Sequence, residues 1–180
     1  MSEAVAEMPL ALTRAGAGDE AAFADLVREH QAMVFGIALH SLGDRHQAED
    51  LAQEVFLQLY RKIGEIESPS HLVHWLRRVT SNRCIDAVRK RRFRLVPLEA
   101  ADEVRSAAAE PDCFAQQRVR EALADLPAKQ KVVLVLRFQE ELELPEIART
   151  LGIPLNTVKS HLRRGVEAVR RRLHGERRER

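Results

Sequence analysis

Thr157, Lys159, Ser160, His161, Arg163 and Arg164 crowd into the stretch "NTVKSHLRR", and they are side-chain types that grip phosphates or base edges. An arginine can fork onto the two acceptors of guanine, while lysine and the hydroxyls hold phosphates or bases. That chemistry requires the residues to share an exposed face. Val158, Leu162, Val166, Val169 and Leu173 recur at helical spacing, so they predict one buried stripe and leave the six polar residues outward. Just upstream, Ile147, Ala148 and Leu151 predict a shorter helix, Gly152 the tight turn after it and Ile153 the plug of that turn. Two helices so joined make a helix-turn-helix, whose second helix offers its N-terminal outer face to the major groove of DNA. A solvated basic helix in an ordinary bundle is the competing reading of the same pattern.

The rest of the chain must carry and complement that face. With 180 residues, 45% of them hydrophobic and 31% charged, the composition is that of an ordered globular chain with room for one or two small cores. The net charge of +2 conceals a segregation. From Asp19 to Glu67 there are ten acidic residues against four basic ones, a balance unsuited to phosphate. Arg77 to Arg94 reverses it with eight basic residues against Asp86, and Lys159 to Arg180 is similarly lopsided. Two basic surfaces predict two contacts with a polyanion. Cys84 and Cys113 have neither the number nor the spacing of a disulfide framework or zinc site, so reduced thiols are expected. The N-terminus lacks a basic segment followed by a long apolar one, and no apolar run approaches a bilayer span; the expectation is a cytoplasmic protein without membrane insertion.

Every strong periodicity is helical and none alternates at period two, which predicts an all-α fold. Residues 1–18 are expected to be a flexible N-terminus, after which Asp19 caps a helix ending near Gly43. A second helix runs from about Ala48 to Lys62 with Leu51, Val55 and Leu59 at four-residue steps. Ser68, Pro69 and Ser70 break the chain before a longer helix carrying Leu72, Trp75, Leu76 and Val79, whose stripe stutters at Asn82 and Arg83 and resumes at Ile85 and Val88. Residues 95–112 have no sustained period and turn acidic, so they read as a flexible linker between a domain at 19–94 and another at 113–175, with a basic tail at 176–180. The second domain begins with a helix through Phe114 and Leu123, stops at "DLPAKQ", and continues in the apolar helix "KVVLVLRF" before the helix-turn-helix.

In order and spacing, "DEAAFADLVREHQAMVFGIAL", "GDRHQAEDLAQEVFLQLYRKI" and "HWLRRVTSNRCIDAVRKRR" resemble region two of the extracytoplasmic-function (ECF) sigma factors, the two-domain minimal sigma family of bacteria. "LADLPAKQKVVLVLRF" and "LPEIARTLGIPLNTVKSHLRRGVEAVRRRL" resemble its region four, so the likeness spans almost the whole chain. The resemblance implies a transcription initiation factor, not an enzyme, that binds the clamp and flap of core RNA polymerase and promoter DNA. Its first domain would meet the clamp and the melted minus-10 element, and its second would read the minus-35 element as duplex. An anti-sigma protein is a further partner that the family allows; no cofactor or metal is implied. By the same resemblance Asp50, Gln53 and Glu54 fall on the clamp-binding helix, where carboxylates meet basic side chains. Trp75, Arg78 and Asn82 fall around the single-strand pocket, where an amide can read a splayed base, and Ser70 and His71 lie in a specificity loop, Ser68 to Leu72, ahead of it. A solvated helix face and a structural Trp are the alternatives for Asp50 to Glu54 and for Trp75. The minus-35 contacts would come from Thr157, Lys159, Ser160, Arg163 and Arg164.

The sequence departs from the family at two points. Glu143 stands where relatives commonly have Ser, a poorer cap, although Pro145 and Glu146 suit a first turn. Gly165 costs about 1 kcal/mol against Ala in a helix, so a bend or a close approach of DNA is expected there. "TVKSHL" also resembles the DNA-binding domain of response-regulator activators, but the alternating strands and helices of a receiver are absent upstream. A metal enzyme would need His71 and His74 with Asp50 or Glu54, which is an unconvincing ligand set.

Overall fold

The computed structural model describes residues 3–94, 121–124 and 126–175, helical nearly throughout and without a strand among the described residues. The helices are α1 (Glu3–Gly16), α2 (Glu20–Leu42), α3 (Arg45–Lys62), α4 (Pro69–Arg94), α5 (Ala128–Phe138), α6 (Leu144–Leu151) and α7 (Leu155–Gly175). The expected linker at 95–112 and the tail at 176–180 lie outside the described residues.

The starts and stops follow local chemistry. Asp19 accepts a hydrogen bond from the Ala22 N–H at 3.0 Å and Asp44 one from the Gln47 N–H at 3.0 Å, each satisfying a donor that the first helical turn would leave free. Both carboxyls are held below their ordinary pKa, first by these backbone bonds. Residues 1–18 depart from expectation. They include α1, whose Leu12 and Ala15 are buried in the core and whose Arg14 pairs with Asp19 at 2.5 Å. It packs against α2 and α4.

α4 lies in the middle of the molecule, against α2 and α3 on one side and α5 and α6 on the other. Leu72 and Leu76 are fully buried, and Thr80 settles its hydroxyl on the Leu76 carbonyl at 2.7 Å. α5 explains its own composition. Val132, Val133, Leu134, Val135 and Leu136 are all buried, because α7 covers one flank while α2 and α4 meet another. Consequently Leu72, Leu76, Val132, Leu136, Ile147 and Val158 belong to one continuous apolar cluster. The helices up to Arg94 and those from Ala128 onward therefore share a core.

Candidate nucleic-acid interface

Along α4, positions 71, 75, 78 and 82 follow helical spacing on one side, and the structure leaves that side open. Arg78 and Asn82 are exposed, whereas His71 and Trp75 are half-buried. Trp75 packs its ring against the core, so it supports the helix while showing an edge. Ser70 and His71 are not in a loop. α4 already begins at Pro69, whose fixed φ suits a first turn, and Ser68 accepts the His71 N–H at 3.1 Å as its cap. Ser68 Oγ also lies 3.1 Å from Ser70 Oγ, and the His71 ring accepts the Glu67 N–H at 3.3 Å. Ser70 and His71 thus point from a rigid helix start.

The stutter at Asn82 and Arg83 resolves into two different placements. Asn82 faces outward, whereas Arg83 turns onto α3, donating to Gln58 Oε1 at 2.9 Å and pairing with Glu54. Glu54 is therefore engaged within the chain. Asp50 and Gln53 remain exposed on α3.

Sequence reasoning missed the surface beside them. Between α2 and α3 runs a groove of about 930 Å³ lined by Phe23, Phe35, Gln53, Phe56, Leu57 and Tyr60. Leu57 is 58% exposed and Tyr60 53%, with Phe23 set edge-on to Tyr60 at 5.1 Å. An exposed apolar surface of this size is characteristic of an interaction site. A signal was present: Phe56, Leu57 and Tyr60 are apolar residues lying off the Leu51–Val55–Leu59 stripe.

In the C-terminal unit, Gly152 ends α6 with φ +63°, a conformation glycine adopts without strain, and lets the chain turn into α7. The α6 start is better tied than a lone glutamate suggests. The Glu143 N–H donates to the Glu146 carboxylate at 2.8 Å, and Arg137 holds the Glu143 carboxylate at 2.7 Å and the Leu142 carbonyl at 3.0 Å.

On α7 the basic residues occupy two flanks. Lys159 and Arg163, four apart, are exposed on one. Arg164, also exposed, shares the other with Ala168 and Arg171 and lines a notch of about 350 Å³ beside Pro127 and Gln130. Thr157, Ser160 and His161 are half-buried. Ser160 donates to the Asn156 carbonyl at 2.9 Å, leaving its oxygen lone pairs to accept. His161 has its pKa pushed down by burial and then by Lys129 and Arg164. Gly165 is buried, and a Cβ there would lie 3.0 Å from Leu134 Cδ1. The glycine serves close packing of α5 on α7, which corrects the expectation of a bend or of DNA approach.

Among the described residues no three His, Cys, Asp or Glu side chains assemble as metal ligands, and His71 and His74 gain no third partner. Burial pushes the Cys84 thiol up to about 12, leaving it protonated and inert. No described helix is long and apolar enough to cross a membrane.

Known proteins share this arrangement. Residues 26–94 match the family model described as Sigma-70 region 2, and residues 116–174 that described as Sigma-70, region 4. The chain is 32% identical over 170 residues to the ECF RNA polymerase sigma factor SigW of Bacillus subtilis, covering 87% of this chain and 91% of that one. It is 36% identical over 163 residues to the ECF RNA polymerase sigma factor SigE of Mycolicibacterium smegmatis, covering 85% of this chain and 63% of SigE. The solved structure of CnrH in complex with the cytosolic domain of CnrY superposes with a TM-score of 0.66 at 21% identity, covering 92% of this chain and 96% of that one.

Proposed function

The chain belongs to the ECF RNA polymerase sigma factors, and on that premise we propose how its surfaces divide the work of promoter-specific transcription initiation. The observation that carries the proposal is the pair of separate open faces bearing amide and guanidinium groups, one on each helical unit. Asn82 and Arg78, with Trp75, His71 and Ser70 beside them, take the melted minus-10 strand, Asn82 by a base edge and Arg78 by phosphate. Lys159, Arg163 and Arg164, with Thr157 and Ser160, take the minus-35 duplex in the major groove. The α2–α3 groove, with Gln53 inside it and Asp50 at its side, takes the polymerase clamp, an apolar centre with an acidic edge. The flap falls to the C-terminal unit. An anti-sigma protein would find the same exposed Leu57 and Tyr60. The chain itself performs no bond chemistry in this account; catalysis belongs to the polymerase, and the setting is the cytoplasm.

Run-off transcription with purified core polymerase and a genomic fragment library tests the reading. Asn82→Ala should weaken open-complex formation and leave binding of core polymerase intact, and equal loss of both would assign Asn82 a structural role. Arg164→Ala should cost about 1 to 3 kcal/mol at the correct promoter and relax preference at one position. A uniform loss over all single-base promoter variants would reduce Arg164 to a phosphate contact and move base reading to Ser160 or Arg163.

A further inference from the structure

Arg83 joins the two faces that α3 and α4 present. It is the next residue after Asn82 on α4, yet its guanidinium crosses to α3, where Nε and Nη2 both donate to Gln58 Oε1, at 3.3 and 2.9 Å, and Nη1 pairs with Glu54. Its side chain is 37% exposed and that of Glu54 61%. Glu54 lies one helical turn beyond Asp50 and next to Gln53, and all three are exposed. One arginine is thus tied to the acidic edge assigned to the clamp while standing beside the amide assigned to the melted strand.

The two acceptors do different things. Gln58 is neutral, so its bonds hold the guanidinium against α3 without cancelling its charge. Among the described residues Glu54 is the one carboxylate that pairs with it. An ion pair this exposed contributes little to stability, because water and salt screen it, so a basic side chain from another protein can displace Arg83 from Glu54 at small cost. Once Glu54 is taken, an uncompensated guanidinium remains one residue from Asn82, and phosphate is an anion that such a planar fork fits.

We propose that Arg83 and Glu54 exchange partners on assembly: the polymerase clamp takes Glu54 and a backbone phosphate of the melted strand takes Arg83, so that the two contacts strengthen each other through one ion pair. The proposal rests on the division of surfaces given above. It adds Arg83 to the residues that touch the strand, and it makes Glu54 a clamp residue only in competition with Arg83. By reciprocity, whatever factor the clamp gains from a bound strand, the strand gains from a bound clamp. That factor is capped by what an exposed ion pair contributes, about two- to five-fold in either affinity.

Arg83→Met keeps a long side chain and removes the charge. At unchanged helicity it should bind core polymerase about two- to five-fold more tightly than the native chain, because Glu54 is already free, while its holoenzyme forms fewer open complexes. A merely structural arginine would lose on both counts. In the free chain Glu54→Gln should tighten binding of a labelled oligothymidine strand about two- to five-fold and steepen its dependence on log salt by about 0.7, the mark of one more phosphate contact. The same substitution should do neither in the Arg83→Met background. Core binding by Arg83→Met no tighter than native, or a gain from Glu54→Gln that is equal in both backgrounds, would overturn the exchange, while run-off transcription by the native chain would leave the sigma function standing. Failure of the native chain to direct any transcript would overturn that function instead.

Discussion

α4 and α7 are the two long basic helices, yet they are built into the molecule in opposite ways. α4 is enclosed by α2, α3, α5 and α6 and keeps one narrow open stripe, whereas α7 rests on α5 and α6 and shows most of its girth to water. The consequence is chemical. On α4 the open stripe is set by what the neighbours leave over, so Arg77, Arg78 and Arg83, close in sequence, go to Glu140, to solvent and to α3 respectively. On α7 Lys159, Arg163 and Arg164 are exposed, and selectivity comes from which flank each occupies. An enclosed helix can hold a splayed base in one geometry, whereas an outlying helix can slide into a groove.

The largest test of this contrast is in the core. Leu76→Ala in α4 should cost about 2 to 5 kcal/mol in urea unfolding, because a fully buried side chain leaves a cavity among several helices. Leu162→Ala in α7 should cost less, since that residue is only half-buried. Equal losses would mean that α7 is as enclosed as α4.

A smaller effect is expected where α7 is tightest. Gly165→Ala gains about 1 kcal/mol of helix propensity but crowds Leu134, and overpacking costs about 1 to 3 kcal/mol, so a net loss near 1 kcal/mol is expected. In a Leu134→Ala background the same substitution should stabilise. If Gly165→Ala stabilises the native chain, the α5–α7 contact is looser than described.

The smallest effect is in pH. His30 is pushed down by burial, with Arg77 adding to this and Glu29 opposing it. His74 is pushed down by burial and then by Arg78, Arg149, His71 and Arg77. A histidine with a lowered folded pKa contributes no pH dependence well above its ordinary value of 6.5. Below it, the unfolded chain takes up protons that the folded one refuses, so stability should fall as pH drops from about 7 toward 5. His74→Gln should flatten the unfolding midpoint against pH; an unchanged slope would remove His74 from the explanation.

Much of the fold was legible because helical periodicity, capping residues and turn glycines act locally. Asp19, Asp44, Gly43 and Gly152 end or begin helices through bonds made within a few residues, which a sequence displays directly. α1 was missed although Met8, Leu12 and Ala15 recur at helical spacing, because the small residues around them leave that stripe short until α2 packs on it. The helix-turn-helix and its outward basic residues were readable for the same local reason, and order and spacing along the chain sufficed for the family. What only tertiary structure decided was the allocation of side chains among neighbours: Glu54 to Arg83, Arg77 to Glu140, Gly165 to Leu134, and the exposed Leu57 and Tyr60 to a groove. Those outcomes depend on which helix faces come together across 29 to 63 positions of sequence, and no local rule of spacing encodes a contact whose partner is chosen by packing.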